Sequence, residues 1–444
     1  MKKSAFNLVI PLKKDKRLLV NTLSGAIDIV PGYYCEYLEE PLSQEDNDVT
    51  GFLAQRCYLV DNNADEREMI KALYAKLRSA RRMRSPLKCV LIVTFDCNLK
   101  CSYCWQQHNI KEERLEVMTK AQVDSALEAV KKLAGVVDEK SNEAPVIQVF
   151  GGEPLLEENA EIIEYILKRC QELQYDVQIT TNGVNIGIFQ EMILQYGVKE
   201  IQVTVDGTEE FHNKRRLGSD YRGIMESLDK LLWYNALYVK LRVNVDSSNV
   251  HSLCGLANEI IDRRWYTNRK FYAYLAPLRD CSFASNALIS KRRKLLAALN
   301  KLKSNFPQIE IFDILGWDGY QPVRAFERSG AFPYPKPHIC DVNLNQFVFS
   351  PAGKIHLCAE EAHGLKDIVG TFYPEFTFDK KAFDGIYQKT PLDLKRCEGC
   401  AMLPVCGGGC SLLCGNDEFL KFYCKSVRDC FEYGLYEYIE ARGN

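Results

Sequence analysis

From Cys89 to about Asn305 the chain alternates between two hydrophobic periodicities. The runs CVLIVTF, VIQVF, VQITT, EIQVTV, KLRVNV and KFYAYLAPL are apolar or alternating, and rich in Val, Ile, Thr and aromatics. Such runs predict strands. Between and after them lie AQVDSALEAVKKLA, AEIIEYILKRCQEL, GIFQEMILQYG, YRGIMESLDKLLWY, NVHSLCGLANEIIDRR and ISKRRKLLAALNKL, which read as helices. Six strands, each followed by a helix, imply parallel β/α units, fewer than the eight of a closed barrel. An open, partial (β/α)6 barrel is therefore expected over residues 86–305, with its chemistry at the C-terminal ends of the strands.

The flanks carry different patterns. In residues 1–85, FNLVIPL and RLLVNTLSGAIDIV predict two strands around the charged turn KKDK. PGYYCEYLEEP suggests a short helix, RCYLV a further strand, and ADEREMIKALYAKLRSARRM an amphipathic helix with Asp65 and Glu66 in its first turn. Elements of that size make either a winged-helix-like α+β unit that binds peptide or a plain flank of the main domain. Residues 306–444 form a bridging region and then a cysteine-rich domain.

Composition narrows the partners. The formal net charge of −2 gives no electrostatic footprint for nucleic acid. The lysines at the start precede an apolar run too short for a signal-peptide core, and no stretch approaches a membrane span. A cytoplasmic protein is expected, with neither nucleic acid nor membrane as partner.

The 18 cysteines change the picture. In a large chain without an export signal they point to metal rather than disulfides. Cys35, Cys57, Cys89, Cys170, Cys254 and Cys281 are scattered singly and read as small buried hydrophobes. The others form a trio near residue 100 and a cluster from Cys340 to Cys430. The trio, Cys97-Asn-Leu-Lys-Cys101-Ser-Tyr-Cys104, follows the first core strand directly. Three thiolates leave one place of a four-site centre unfilled, so either an iron–sulfur cluster with one open iron or a zinc site closed by a neighbour such as His108 fits.

In its strand–loop context the C-x3-C-x-aromatic-C trio resembles the signature of the radical S-adenosylmethionine (SAM) superfamily, with Tyr103 in the aromatic slot. The resemblance implies a [4Fe–4S] cluster on Cys97, Cys101 and Cys104 whose open iron binds SAM. Reductive cleavage would then give a 5′-deoxyadenosyl radical that takes hydrogen from substrate. The second strand ends in Gly151-Gly152-Glu153-Pro154, similar to the family's motif for the methionine amino group of SAM. Two glycines there would let a ligand approach the backbone closely. Thr181 and Asn182 end the third strand and Asp206 the fourth, while Arg216 and Asn244 are similarly placed. All are candidate SAM contacts, although ordinary turn chemistry also explains the Asn, Asp and Gly residues.

The C-terminal order is Cys340, Gly353 and Cys358, then Cys397-x2-Cys400-x5-Cys406-x3-Cys410, then Cys424. CxxC pairs alone would allow zinc, but the full order resembles the seven-cysteine motif of the SPASM domain. That resemblance implies two auxiliary [4Fe–4S] clusters. Cys340, Cys358 and Cys410 would serve the first. Cys397, Cys400, Cys406 and Cys424 would serve the second, with Cys430 as an alternative to Cys424. Position 334, where a fourth ligand of the first often stands, is Tyr, and Cys414 is spare.

Radical SAM/SPASM enzymes act mostly on peptides and proteins. NTLSGAIDIV resembles the opening of enzymes that mature ribosomally made peptides. The resemblance implies a precursor peptide with a leader sequence as partner, the leader adding as a strand to a sheet edge. It also implies an external electron donor of the flavodoxin or ferredoxin class. Thioether formation on the peptide is the reaction expected. Carbon–carbon cross-linking, or oxidation of a protein Cys or Ser as in anaerobic sulfatase maturation, is the alternative. His108 and His212 are expected to be polar lining rather than catalysts.

Overall fold

The computed structural model describes residues 1–40, 47–104, 106, 117–137, 143–278, 291–333, 335–337, 340, 345–362, 368–410 and 417–442. His108, Cys281, Tyr334 and Cys414 lie outside these residues. The chain divides into two compact units, one of Met1–Arg81, Trp317–Asn343 and Gln388–Asn444, the other of Arg82–Gly316 and Leu344–Tyr387.

In the first unit, β1 (Lys2–Lys3) leads to a sheet of β2 (Asn7–Pro11), β3 (Lys16–Asn21) and β4 (Ile27–Pro31), antiparallel and in that order, while β5 (Leu59–Val60) pairs with β1. The stretch RLLVNTLSGAIDIV holds two strands instead of one. A tight turn divides it at Gly25, where φ is +79°. Leu19, Val30, Leu38, Leu53 and Tyr58 pack as this sheet's core. The amphipathic helix is Glu66–Arg84. Its Ile70 and Tyr74, one turn apart, pack with Phe6 and Leu403, and Cys397 and Cys400 sit at the margin of that cluster. Polar contacts fasten the same helix to the cysteine-rich segment: Arg67 Nη2 donates to Leu392 O at 3.0 Å and Arg78 Nη1 to Gln388 O at 2.7 Å.

The second unit contains β6 (Lys88–Ile92), β7 (Lys100–Cys101), β8 (Val146–Phe150), β9 (Asp176–Thr181), β10 (Glu200–Thr204), β11 (Arg216–Leu217), β12 (Tyr238–Val245), β13 (Phe271–Pro277), β14 (Phe312–Ile314) and β15 (Gln346–Phe349). The six expected strands are β6, β8, β9, β10, β12 and β13. They run parallel, each beside its predecessor in the chain, with helices between. Adding every strand on the same side curls the sheet into the expected partial barrel and gathers the loops after the strands at one mouth. Five short strands extend it beyond six: β14 continues it past β13, β15 joins β6 in parallel from the other edge, and β16 (Lys354–His356), β17 (Ile368–Thr371) and β18 (Thr377–Phe378) follow β15 antiparallel. Two to four residues carry too little periodicity to be read in advance.

The strands alternate in burial. Ile147, Val149, Val177, Ile179, Ile201, Val203, Val239 and Leu241 are at most 4% exposed. Buried stripes on the helices, such as Ile163 and Ile166 or Leu228 and Leu231, supply the matching apolar surface. Each such burial contributes about 1.5–3 kcal/mol. The intervening positions, Gln148, Thr180, Gln202 and Arg242, are polar and half-buried. A sheet covered on both faces would be apolar at both sets of positions. The polar set marks an inner face left open as a lumen.

Among the described residues no helix is long and apolar enough to cross a membrane.

Candidate active site

The loop after β6 is built against the loop after β8. Val93 N donates to Phe150 O, Gly152 N to Thr94 O and Glu153 N to Asp96 O, at 2.8–2.9 Å. A Cβ on Gly151 would stand 2.2 Å from Thr94 O, and one on Gly152 would stand 2.3 Å from Asp96 O. The close approach that requires these glycines is therefore made by the protein's own backbone, whereas the sequence suggested a ligand. Glu153 turns inward and is 1% exposed. Its carboxylate accepts from Thr181 Oγ1 and Asn182 N at 2.6 Å and from Leu155 N at 2.8 Å, tying the end of β8 to that of β9. Burial raises its pKa, and these bonds hold it back. Asn182 Nδ2 reaches Asn98 Oδ1 at 2.7 Å and Cys97 Sγ at 3.9 Å.

The other half of the cysteine loop is fixed through Tyr103. Its hydroxyl donates to Asp206 Oδ2 and accepts from Arg216 Nη1 at 2.7 Å and Asn244 Nδ2 at 3.1 Å. The Asp206 carboxylate also takes Asn244 N at 2.9 Å. Strand β7 pairs antiparallel with β11, setting Cys101 opposite Arg216, and Ser102 N donates to Arg215 O at 3.0 Å. The Arg215 guanidinium lies 5.0 Å from the Tyr103 ring centre. Thus the tyrosine of the cysteine motif locks the loop to the ends of β10 and β12. His212 is buried behind this lock, accepting from Asp206 N at 3.2 Å and facing Ser219 Oγ at 2.7 Å. It is fully buried and does not line the cavity, where the sequence suggested polar lining, because its ring supports the Asp206 backbone instead.

Cys97, Cys101 and Cys104 line one cavity of about 520 Å³. Tyr103, Gly151, Gly152, Thr181, Asn182, Arg216 and Asn244 line it as well. Glu153, Pro154 and Asp206 are buried and do not; Glu153 and Asp206 instead hold residues that do. Sequence reasoning missed Gln106, Gln202, Thr204, Arg242 and Tyr274 on the same wall. For the strand residues a signal existed, namely the polar positions alternating with the buried aliphatics.

A cluster with SAM fits these residues. Among the described residues no three His, Cys, Asp or Glu side chains are placed to hold a metal ion, but Cys97 and Cys104 both act on Cys101, and all three line the one cavity. Arg216 Nε is buried there with no hydrogen-bond partner, a donor left for an anionic group such as a carboxylate. Burial pushes the Cys101 thiol up to about 11, with Arg216 opposing, and burial raises Cys97 too. A metal bound to these sulfurs would favour their thiolate form.

In the first unit, Cys424 acts electrostatically on Cys397 and Cys406, and Cys400 on Cys397 and Cys424. Burial pushes the Cys397 thiol up to about 11, with Cys400 and Cys424 adding to it. Burial pushes Cys406 to about 12, and Cys424 adds there too. Cys430 lies buried farther along the Asp417–Glu440 helix. Cys340 and Cys410 belong to this unit and Cys358 to the other. Of the scattered cysteines, Cys89 and Cys170 are fully buried as expected. Cys35 and Cys254 are half-buried. Cys57 is exposed, in a turn with φ of +63°.

The profile described as "Radical SAM superfamily" matches residues 91–235. Among curated proteins, the GTP 3',8-cyclase of Alkaliphilus oremlandii (strain OhILAs) is 26% identical over 288 residues, 62% of this chain and 81% of that protein. The radical SAM cyclopropyl synthase TigE of Paramaledivibacter caminithermalis is 26% identical over 204 residues, 43% of this chain and 42% of that protein. Among solved structures, anSMEcpe with bound AdoMet has a TM-score of 0.56 at 18% identity, covering 81% of this chain and 100% of that one. Streptococcus suis SuiB bound to the precursor peptide SuiA has a TM-score of 0.52 at 15% identity, covering 93% and 95%. At these identities the two solved structures establish the fold.

Proposed function

We propose that this chain, an enzyme of the radical SAM superfamily, modifies a ribosomally made precursor peptide by joining a cysteine sulfur to carbon in a thioether. The carrying observation is the cavity wall itself. Three thiols and an unpartnered arginine nitrogen stand at the mouth of a polar lumen. A side chain of an extended peptide can enter such a lumen. Support also comes from the fold shared with SuiB, solved with the precursor peptide SuiA, and with anSMEcpe, solved with the Cp18Cys peptide.

Cys97, Cys101 and Cys104 would hold the [4Fe–4S] cluster, which together with SAM supplies one-electron cleavage and hydrogen-atom abstraction. Arg216 and Asn182 would orient SAM, and Tyr103 would keep the cysteine loop in place. The lumen residues would position the peptide carbon and limit water. Thioether formation removes two hydrogens from the peptide, so one electron needs an acceptor. Cys397, Cys400, Cys406 and Cys424 would hold an auxiliary cluster for that purpose, and Cys340, Cys358 and Cys410 are assigned to a second by motif alone. Residues 1–85 would recognise the leader, 86–305 carry the radical chemistry and 306–444 the auxiliary clusters. The leader would extend the small sheet at β4, an edge strand. The first electron would come from an external donor of the flavodoxin or ferredoxin class.

A nucleotide substrate is the second reading, favoured by the GTP 3',8-cyclase relatives. One set of measurements separates the two. Anaerobically reconstituted protein should hold about twelve irons per chain, and about eight in a Cys97→Ala/Cys101→Ala/Cys104→Ala variant that no longer cleaves SAM. A cysteine-containing precursor peptide should lose two hydrogens when incubated with the enzyme, SAM and a reductant. Little iron, SAM cleavage that survives the triple variant, or turnover of GTP with no change in the peptide refutes the proposal.

A further inference from the structure

We infer that Arg242 is a substrate-binding residue that selects a carboxylate, an Asp or Glu side chain in the peptide segment entering the lumen. This inference rests on the peptide reading above.

Lys240, Arg242 and Asn244 occupy alternate positions of β12 and share the face that borders the cavity. Two of the three are committed. Lys240 Nζ pairs with Glu200 Oε2 at 2.6 Å, and the Asn244 amide donates to the Tyr103 hydroxyl. Arg242 uses only Nε, which donates to Asn244 Oδ1 at 2.9 Å. Its two terminal nitrogens make no hydrogen bond or ion pair among the described residues.

The partners of Arg242 on the adjacent strands are neutral. Thr204 stands opposite Arg242 across the strand pair. Tyr274 Oη donates to Gln202 Oε1 at 2.8 Å, and Gln148 Nε2 donates to Thr180 Oγ1 at 2.8 Å. Among the described residues, and apart from the cysteines, the charged groups lining the cavity are Arg216, Arg242 and Glu360. Arg216 is engaged with Tyr103 through Nη1, and its unpartnered Nε is the donor assigned to SAM above. Arg242 is therefore a cation presented to the lumen with its planar donor fork free.

Chemistry narrows what it takes. A guanidinium fork matches a carboxylate through two parallel bonds. The Nε bond to Asn244 already fixes the plane, so little ordering remains to oppose binding. A nucleotide triphosphate would call for several cations at one place; with Arg216 given to SAM, Arg242 is the cation left among the described lining residues. One carboxylate fits that set.

The test uses the reconstituted full chain and three probes: acetyl-Gly-Asp-Gly-amide, its Asn counterpart and its Lys counterpart. Affinities are read by saturation-transfer NMR at low salt, where screening is weak. The Asp peptide should bind about tenfold more tightly than the Asn peptide, and the Lys peptide least. Arg242→Gln should abolish the Asp preference with an unchanged melting temperature. Arg242→Lys should keep part of it, which separates lost recognition from misfolding. Lys199→Gln, an equal charge change on the surface, should leave it intact. Equal binding of the three peptides, or an Asp preference that survives Arg242→Gln, overturns the inference and leaves the peptide reading standing. Binding of GTP but of none of the peptides overturns both.

Discussion

Removing one oxygen atom tests how the cysteine loop is held. In Tyr103→Phe the ring stays, but the hydroxyl's three hydrogen bonds go: one donated by Arg216 at 2.7 Å, one by Asn244 at 3.1 Å, and one given to Asp206. Bonds to a charged partner contribute about 1.5–3 kcal/mol each and neutral ones about 1 kcal/mol. Arg216 and Asp206 remain, oppositely charged and close to one another's former partner, and their mutual attraction offsets part of the loss. Yet Arg216 already has an unpartnered Nε and is 7% exposed, so it cannot turn to water. The net penalty is therefore ~2–4 kcal/mol. For a unit of this size that lowers the melting temperature by roughly 5–10 °C. The local consequence is sharper. Ser102 N–H bonds to Arg215 O and Cys104 N–H to Cys101 O, and both amides should exchange faster with solvent once the lock is open. The assays are thermal unfolding and hydrogen exchange on the cluster-free chain, with SAM affinity and the cluster's electron paramagnetic resonance signal on the reconstituted one. If melting temperature, amide protection and SAM affinity all match the parent, the lock does not exist.

Two further outcomes follow from the same region. Gly152→Ala places a methyl against the carbonyl oxygens of Asp96 and Phe95, at 2.3 and 2.5 Å, and neither backbone group can swing aside; it should cost about 3 kcal/mol in urea unfolding and weaken SAM binding, and a change below about 0.5 kcal/mol contradicts the packing argument. His212 is held neutral, its pKa lowered to about 3 by burial and then by Arg216. Since the unfolded chain takes up a proton near pH 6.5 and the folded one does not until near 3, stability should fall as pH drops through that window. The loss is about 2 kcal/mol between pH 6.5 and 5, measured by urea midpoints. His212→Asn should remove this slope, and a variant that retains the full slope refutes the assignment.

How far the sequence could be read depends on the kind of information each feature carries. Period is local, so the six core strands and their helices were legible, from CVLIVTF to KFYAYLAPL. Motif spacing is local as well, and it brought Cys97, Cys101 and Cys104 to attention together. β14 and β15 were not legible: a three- or four-residue strand such as FDI gains its identity from the edge it joins, and that edge is known only once the barrel has curled. The glycines show a subtler limit. Gly151-Gly152 was read as a place where something approaches the backbone. The approach is real, but its partner, the Thr94–Asp96 turn, stands more than fifty residues away in the chain, and no local pattern names it. Asp206 illustrates the same point: it is buried behind the cavity wall and meets the Tyr103 hydroxyl, whereas Arg216 meets that hydroxyl and also lines the cavity. Residue type marked where polar chemistry is concentrated, while the division of labour between groups that line the cavity and groups that hold the lining in place is a property of the third dimension. Arg242 follows from that distinction. It was invisible as a motif because nothing about LRVNV sets it apart, and it stands out only when its neighbours on the strand are seen to be already engaged.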